Sequence, residues 1–240
     1  MSGSLVFRGV KKSFGEVQVL RGVDLEIPLD RFTYVVGQSG GGKSVLCRLA
    51  VGLLDPDEGE IHLDGRDVPR LSERAKVALR ARCPYVVQGP ALLDWLTLEE
   101  NAALAAPRAR PEEIRDALDK VGLAGLRDRY PEENGPGVNK RAAIARALLR
   151  RPRYLLLDEP LTGLDSGSAA EVNAVLQKLR REGLGALVVS HDYRDLEALA
   201  DAVVVIGNGR VAFHGAPPEF LSSREPAVRA LTAPAEVEAR

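Results

Sequence analysis

Apolar and polar residues alternate near the start of the chain, and other periods replace this alternation further on. At positions 23–27 the sequence reads Val-Asp-Leu-Glu-Ile, which is the two-residue period of a strand with one buried face. The stretch 5–29 is strand-like, and the pattern predicts an antiparallel β-subdomain over residues 5–27, with turns at Gly15 and Gly22. A further short strand is predicted at 60–63, between two turn-forming stretches.

Other stretches are dominated by apolar residues without alternation. Such runs predict strands that are buried on both faces, as in a parallel sheet. They lie at 33–36, 83–88, 154–157, 186–190 and 203–206. Asn208-Gly209 is a favoured two-residue hairpin turn and predicts an antiparallel strand at 210–214.

A helical spacing of apolar residues separates many of these strands. Thr97 and Glu100 form a capping-box pair at the start of one predicted helix, and Ser168 and Glu171 form a second pair. Helices are predicted at 44–53, 71–82, 97–106, 111–121, 140–149, 168–181 and 195–200. The helices between 89 and 150 follow one another without a strand, which predicts an α-helical insertion in an α/β domain.

The order of these elements divides the chain. We expect residues 1–88 and 151–215 to form an α/β core together with the antiparallel β-subdomain. Residues 89–150 are expected to form the α-helical subdomain. Residues 216–240 are rich in Pro and Ala, show little periodicity and are interpreted as a C-terminal extension.

The composition argues against several classes of protein. The net charge is −1, so no overall positive field favours nucleic acid, and 45% hydrophobic residues is typical of a folded domain. No apolar stretch reaches the roughly 18 residues of a membrane-spanning helix, and the first residues lack a signal-peptide pattern. Cys47 and Cys83 form neither a disulfide framework nor a zinc motif.

Residues 37–44 read Gly-Gln-Ser-Gly-Gly-Gly-Lys-Ser and match the pattern G-x-x-x-x-G-K-[S/T] between a predicted strand and a predicted helix. Backbone N–H groups of such a turn point toward one spot, where the helix dipole adds positive potential. That spot suits a phosphate, which Lys43 would reach, while Ser44 would offer its hydroxyl to Mg²⁺. A glycine-rich turn that binds nothing is the weaker interpretation, because strand and helix flank the loop as required.

Polar residues end several of the predicted buried strands. Asp158 and Glu159 directly follow the strand at 154–157, so one carboxylate can hold Mg²⁺ and the next can polarise an attacking water. Gln88 and His191 end two other strands, and ligands bind at the carboxyl ends of parallel strands. We expect Gln88 near the metal and the water, and His191 near the γ-phosphate. Solvated strand-end side chains are the alternative.

A phosphate loop, a strand-end Gln, a helical insertion, an Asp-Glu pair and a strand-end His follow one another here, and this order resembles that of ABC transporter ATP-binding subunits. The resemblance covers residues 5–215 and implies a P-loop NTPase (RecA-like) core, ATP and Mg²⁺ as ligands, and ATP hydrolysis in a dimer, expected to be a homodimer. Phe14 would stack on adenine, whereas its strand position alone favours core packing. The implied nucleotide contacts are Phe14, Gly37, Gln38, Ser39, Gly40, Gly41, Gly42, Lys43, Ser44, Val45, Gly137 and Asp165; the implied metal ligands are Ser44, Gln88 and Asp158; the implied catalytic residues are Gln88, Glu159 and His191.

The chain departs from the family at the signature loop, which should close over the partner subunit's nucleotide. Where the family has Leu-Ser-Gly-Gly-Gln, residues 134–138 read Asn-Gly-Pro-Gly-Val. Gly135 lacks the serine hydroxyl and Pro136 lacks an N–H, so only Gly137 is retained. Each donor lost to a charged phosphate costs about 1.5–3 kcal/mol, so we expect ATP binding within one subunit to persist and turnover to fall.

Finer features resemble the Mla/Mce-type ATPases of bacterial phospholipid transport. They lie at 42–45, 89–101, 214–218 and 224–231. The resemblance implies attachment to the cytoplasmic face of the bacterial inner membrane, a permease that docks near residues 89–98, and an indirect periplasmic lipid-binding partner. Trp95 is the best interface candidate in that segment. Residues 217–240 could reach a neighbouring subunit or form a disordered tail.

Other functions stay open on the sequence alone. A regulatory or structural subunit that binds ATP and its permease, but barely hydrolyses, is favoured by residues 134–138. An ABC protein that acts on nucleic acid is disfavoured by the near-zero charge and the single-domain length. A P-loop kinase would not need Gln88, His191 and the helical lobe in this order.

Overall fold

The strands form two sheets. Strands predicted from alternating apolar residues lie in one sheet, and strands predicted from continuous apolar runs lie in the other. The computed structural model describes residues 3–193 and 196–232. Within them the strands are β1 (Ser4–Phe14), β2 (Val17–Pro28), β3 (Phe32–Val36), β4 (Glu58–Leu63), β5 (Arg66–Asp67), β6 (Tyr85–Val86), β7 (Tyr154–Asp158), β8 (Gly185–Ser190), β9 (Ala202–Gly207) and β10 (Arg210–Gly215).

Helices surround these strands. They are α1 (Lys43–Ala50), α2 (Glu73–Arg82), α3 (Leu98–Ala103), α4 (Pro111–Lys120), α5 (Pro136–Leu148), α6 (Ser166–Arg181), α7 (Leu196–Leu199), α8 (Pro217–Ser222) and α9 (Pro226–Thr232). Short 3₁₀ turns occur at Ala124–Leu126 and Pro131–Glu133. The predicted helix at 195–200 is found as α7, and Asp195 lies outside the described residues.

The first sheet is antiparallel, with the strand order β2-β1-β4-β5. Its alternation buries one face, since Val23, Leu25 and Ile27 are at most 6% exposed. The predicted turn at Gly22 is wrong. Val10 pairs with Val23 and the next residue, Lys11, pairs with Arg21, so Gly22 is the extra residue of a β-bulge. Its φ of 90° explains why glycine occupies this position.

The second sheet has the order β10-β9-β3-β8-β7-β6, and every pairing from β9 to β6 is parallel. The carboxyl ends of β3, β8, β7 and β6 therefore meet at one edge. The strand predicted at 83–88 is shorter than expected and covers Tyr85 and Val86 alone. Pro84 has no N–H for the ladder, and the chain leaves β7 after Val86. Together the two sheets confirm the predicted α/β P-loop NTPase fold with an antiparallel β-subdomain.

Buried residues pack on both faces of the parallel sheet, because successive side chains of its strands point to opposite sides. Leu155 and Leu157 of β7 pack with helices α3 to α6 on one face. Leu156, between them, packs with α1 and the antiparallel sheet on the other face. A strand enclosed in this way has a fixed register, which fixes the position of its last residue, Asp158.

Three helix starts differ from their predictions by two or more residues. The helix predicted at 71–82 begins at Glu73, because Ser72 is its N-cap and accepts from the Ala75 N–H. The helix predicted at 140–149 begins at Pro136, because proline in the first helical position has a favourable φ and needs no hydrogen-bond partner. The helix predicted at 168–181 begins at Ser166 and is capped by Asp165, whose side chain accepts from the Ser168 N–H. The capping box of Thr97 and Glu100 at the start of α3 is confirmed.

The C-terminal segment is helical and packed over residues 217–232, in contrast to the weakly patterned tail expected from its composition. Phe220 of α8 and Val228 of α9 are fully buried. The ring of Phe220 lies 6.0 Å from that of Phe213 on β10 and 6.0 Å from that of Tyr193. Residues 233–240 of the predicted extension lie outside the described residues.

Candidate active site

The glycine-rich loop connects β3 to α1 at the carboxyl edge of the parallel sheet. Gly42 is the N-cap of α1 and has a φ of 95°, and Gly40 has a φ of 76°, which other residues rarely adopt. A Cβ at Gly42 would also lie 2.7 Å from Cδ2 of Leu20, since β2 packs against the loop. The loop thus needs glycine at these positions. The N–H groups of the first turn of α1 have no partner within the helix and are available to a ligand at the loop.

Lys43 is 5% exposed although it carries an ammonium group. Its Nζ donates to the carbonyl oxygens of Gly37 at 2.9 Å and Gln38 at 3.0 Å, which curls the loop around the charge. Burial lowers the pKa of Lys43, and the carboxylates of Glu159 and Asp158 oppose this shift. The lysine is therefore held at the centre of the loop, where a phosphate group would replace the carbonyl contacts.

Ser44 and Asp158 come together from sequence positions that are far apart. The Ser44 hydroxyl donates to Oδ1 of Asp158 at 2.9 Å, and the Tyr85 hydroxyl donates to Oδ2. Burial is the main cause that raises the pKa of Tyr85, and the hydrogen bond to Asp158 raises it further. Sequence reasoning missed Tyr85, because only the pairing of β6 with β7 brings it beside Asp158.

The oxygen atoms of Ser44 and Asp158 fit a hard divalent cation such as Mg²⁺. Among the described residues, no group of three or more His, Cys, Asp or Glu side chains could hold a metal ion. Mg²⁺ is commonly bound by one or two protein oxygens while phosphate oxygens complete its shell, and Ser44 and Asp158 can supply such oxygens. Gln88, the third predicted ligand, is exposed and lies two residues beyond the end of β6, the strand that pairs with β7.

Glu159 has an unusual backbone conformation for a residue with a side chain. Its φ is 50°, in the left-handed region. Its N–H donates to the carbonyl oxygen of Val189 at 2.8 Å, and its carbonyl accepts from Nζ of Lys140 at 2.7 Å. Strained backbone of this kind persists only where neighbouring groups hold it, and it is concentrated at functional sites.

The carboxylate of Glu159 is bound by two neighbours. Nδ1 of His191 lies 2.8 Å from Oε2, and the hydroxyl of Thr162 donates to the same oxygen at 2.7 Å. The Glu159 side chain is 11% exposed, whereas that of His191 is 48% exposed. The structure thus brings the predicted pair into direct contact at the edge that carries Lys43 and Asp158. Thr162 could have been suspected from its spacing of three residues from Glu159.

The signature loop leads directly into α5. Gly135 is the N-cap and has no capping side chain, and Pro136 occupies the first helical position. A Cβ at Gly137 would lie 2.7 Å from Cβ of Ser168, so this glycine permits the close approach of α5 and α6. Asp165, capping α6, accepts hydrogen bonds from Ser168 that lower its pKa. Gly137 and Asp165 therefore have local structural tasks besides the predicted contacts with nucleotide.

Phe14 ends β1 at the tip of the hairpin that packs on the glycine loop. It is 46% exposed, so the core packing favoured by its strand position is wrong. Nζ of Lys12 lies 5.7 Å from the centre of its ring. An exposed aromatic face at this tip is available for stacking.

The segment at 89–98 is held in place from two helices. Asn101 of α3 is fully buried; its Nδ2 donates to the carbonyls of Leu93, Leu96 and Thr97, and its Oδ1 accepts from the Leu93 N–H. Arg146 of α5 donates to two backbone carbonyls at the start of the same segment. Trp95 is 72% exposed at its surface. A large apolar side chain is therefore presented on a firmly bonded loop.

A cleft of about 830 Å³ lies at the opposite, amino edge of the parallel sheet. Residues before β3, β7 and β8 line it, and they include Asp30, Arg153 and Leu184. None of the predicted site residues lines this cleft. The polar groups suited to phosphate chemistry are thus gathered at the other edge.

Comparison with known proteins agrees with this arrangement. Residues 20–162 match the family model described as ABC transporter. The aliphatic sulfonates import ATP-binding protein SsuB of Ralstonia nicotianae is 41% identical over 202 residues, which are 84% of this chain and 68% of the relative. The sulfate/thiosulfate import ATP-binding protein CysA of a Synechocystis species is 35% identical over 215 residues, 87% of this chain and 59% of the relative.

Solved structures have the same fold. The cbiO1 protein of Clostridium perfringens, part of an ABC transporter complex, has a TM-score of 0.84 and 28% identity, over 94% of this chain and 93% of that one. A dimeric ATP-binding cassette in a post-hydrolysis state, bound to ADP and Pi, has a TM-score of 0.80 and 26% identity, over 88% and 98%.

No helix within residues 3–193 and 196–232 is both long and apolar enough to cross a bilayer.

The family match spans more than half of the chain and includes the glycine loop and the Asp-Glu pair. The chain therefore belongs to the ABC transporter family as an ATP-binding subunit, and such subunits are ATPases.

Proposed function

We propose that this chain is the ATP-hydrolysing motor of an importer for sulfonates or sulfate. One observation carries the motor role: Lys43, Ser44, Asp158, Glu159 and His191 converge at the carboxyl edge of one sheet. The names of the relatives, which are import proteins for sulfonates, sulfate and thiosulfate, support the substrate class.

Each side chain has a chemical task in this proposal. Lys43 and the N–H groups of its loop hold the terminal phosphates, and Ser44 and Asp158 hold Mg²⁺, which would neutralise phosphate charge when bound. Glu159 accepts a proton from the attacking water, and Gln88, two residues beyond β6, is proposed to contact that water. His191 orients Glu159 through Nδ1, and its exposed ring is free to meet the γ-phosphate.

A second subunit completes the site in this proposal, and a homodimer is its simplest form. The first N–H groups of α5 have no partners within the helix and form an anion-binding end, which Gly137 and Val138 still provide. The loss at Pro136 is therefore partial. Asp165 lies at the start of α6, beside the same helix end, where it would face the partner's nucleotide. Weaker closure and slower turnover follow from the missing hydroxyl and N–H.

The sequence resemblance and the relatives support different transported substrates. Short motifs, among them residues 89–101 and the C-terminal motifs, resemble phospholipid-transport ATPases, whereas the curated relatives described above are named as import proteins for sulfonates and sulfate or thiosulfate. We favour the anions, because those relatives match 84–88% of the chain rather than a few short motifs. A lipid substrate with a periplasmic lipid-binding partner is the second candidate, supported by that segment.

Attachment to the cytoplasmic face of the inner membrane would depend on a permease. Trp95 and its neighbours at 89–98 are the proposed contact, since a large exposed aromatic side chain on a fixed loop is typical of interface hot spots. Replacing Trp95 with Ala should release the chain from membranes that contain the permease. The exposed Leu53, which lies after α1, offers a matched control substitution.

The substrate class can be tested with the chain assembled with its permease and substrate-binding protein in vesicles. ATPase stimulation by an alkanesulfonate or by sulfate is expected, and none by phospholipid-loaded protein. Stimulation by phospholipid alone would overturn the proposed substrate but not the motor role.

A regulatory subunit with little hydrolysis is the other candidate function. Gly135 and Pro136 favour it, because both replace groups that would contact the partner's nucleotide. The two candidates make opposite predictions for the rate of phosphate release from the assembled transporter.

A further inference from the structure

Lys140 is a buried lysine that no motif of the sequence singles out. It is 8% exposed, and it lies one turn inside α5, four residues after Pro136. Its Nζ donates to the backbone carbonyl of Glu159 at 2.7 Å. Burial lowers its pKa, and the carboxylates of Glu159 and Asp158 act against this shift. A buried ammonium group is unfavourable unless it is paired. The Glu159 carbonyl is the partner that Lys140 has here, so the contact with Glu159 is the role we consider for this lysine.

The peptide groups on both sides of Glu159 are held from different layers of the molecule. The N–H bonds to Val189 of β8, within the sheet, and the carbonyl bonds to Lys140, from a helix outside it. Between these two anchors the φ of Glu159 is 50°, a conformation that residues with a Cβ adopt only when their surroundings impose it. This conformation directs the carboxylate toward His191 and Thr162.

We infer that Lys140 is a positioning residue, which fixes the backbone of Glu159 and so orients its carboxylate for hydrolysis. The contact comes from the helix that begins at the signature loop, so it also ties the catalytic carboxylate to the element that would meet the partner's nucleotide. This inference rests on the proposed role of Glu159 as the base, and it adds a residue to that role.

A matched control exists elsewhere in the chain. Lys76 of α2 is also buried, at 6% exposure, and its Nζ pairs with Asp55 and Glu73 at 3.2 Å each. It touches none of the residues placed at the active site. Replacing Lys76 with Met therefore removes a buried ammonium group without a direct effect on Glu159.

The test compares kcat and KM for ATP in the full-length chain, assembled with its permease, for Lys140→Met, Lys140→Arg and Lys76→Met. Misplacement of a catalytic group lowers the rate of the chemical step. We therefore expect Lys140→Met to lower kcat at least about tenfold. The KM for ATP should change less than about twofold, because the phosphate loop is untouched. Lys140→Arg keeps a donor and should recover much of the rate, while Lys76→Met should retain the wild-type kcat.

Two results would overturn the inference. One is a Lys140→Met enzyme with wild-type kcat, and the other is an equal loss of kcat in Lys140→Met and Lys76→Met. If Lys140→Met does not fold, Lys140→Gln decides, since its shorter donor should fail to reach the Glu159 carbonyl and should lower kcat without changing KM, whereas Lys140→Arg should stay closer to the wild type. Absence of hydrolysis in the wild type, compared with Glu159→Gln, would instead refute the proposed function.

Discussion

Nδ1 of His191 lies 2.8 Å from Oε2 of Glu159, so two side chains from the ends of neighbouring strands act as one unit. An ionised carboxylate only accepts hydrogen bonds, which places a proton on Nδ1. Thr162 donates to the same oxygen, so Oε1 is the atom that would receive a proton from an attacking water. These two contacts thus hold the proposed base in one orientation.

Replacing His191 with Ala should slow hydrolysis more than it weakens binding. Loss of the Nδ1 contact frees the Glu159 carboxylate to rotate, and a misplaced base lowers kcat by at least about tenfold. ATP affinity, measured with a fluorescent nucleotide, should change little because Lys43 and its loop remain. His214→Ala on β10 is the control, and an equal loss in both variants would contradict this role.

Replacing Tyr85 with Phe should weaken the site for the metal. The variant removes the hydroxyl that holds Oδ2 of Asp158 and leaves a buried acceptor without this partner. A lost hydrogen bond to a charged group costs about 1.5–3 kcal/mol, and part of this should appear as a higher Mg²⁺ concentration for half-maximal activity. Tyr130→Phe, at an exposed tyrosine, should leave the Mg²⁺ dependence unchanged. Unchanged Mg²⁺ dependence in Tyr85→Phe would show that Asp158 needs no such support.

Replacing Asn101 with Ala should uncouple the segment at 89–98 from the rest of the chain. A fully buried side chain loses its Oδ1 acceptor contact and its two N–H donors, which three backbone carbonyls share. A hydrogen bond is worth about 1 kcal/mol net, so unfolding in urea should occur at a clearly lower concentration. Binding to the permease should weaken, since Trp95 would no longer be fixed. Asn173→Ala is a suitable control, because the Oδ1 atom of Asn173 has no partner among the described residues. Permease binding at wild-type strength in Asn101→Ala would argue against the interface.

Restoring the signature loop should raise the ATPase rate. A Cβ at Gly135 would meet no atom within 4 Å, so Ser fits there, and Pro136→Gly returns an N–H. Two recovered donors to a charged phosphate predict an increase of about tenfold or more in the double variant. Gly135→Ala with Pro136→Gly provides the N–H without the hydroxyl and should give a smaller increase. No increase in either variant would mean that other groups already close the site.

The sequence predicted the ends of β7 and β8 well, because their patterns depend on local properties, whereas it placed the end of β6 two residues too late. Four apolar residues before Asp158 specify a buried strand, and its enclosure on both faces fixes where the carboxylate emerges. Groups that arrive from distant parts of the chain were missed. Tyr85 reaches Asp158 through strand pairing, and Lys140 reaches Glu159 across the packing of a helix on the sheet, and neither relation has a local signature.

The C-terminal segment is a second case in which local sequence did not predict the structure. Its Pro- and Ala-rich composition suggested little structure, yet Phe220 and Val228 are fully buried within two short helices. Each helix is so short that its few apolar residues do not produce a clear period. Their burial depends on the surface offered by Phe213 and Tyr193, which only the folded chain creates.

Steady-state phosphate release by the transporter assembled with wild-type chain or with Glu159→Gln tests the central claim most directly. The claim is that Glu159 activates water against the phosphate held by Lys43 and its loop. A positioned base contributes about a hundredfold or more to the rate, so release should fall by that factor in Glu159→Gln while ATP still binds. Equal rates for the two proteins, or no measurable release by the wild type, would contradict the account.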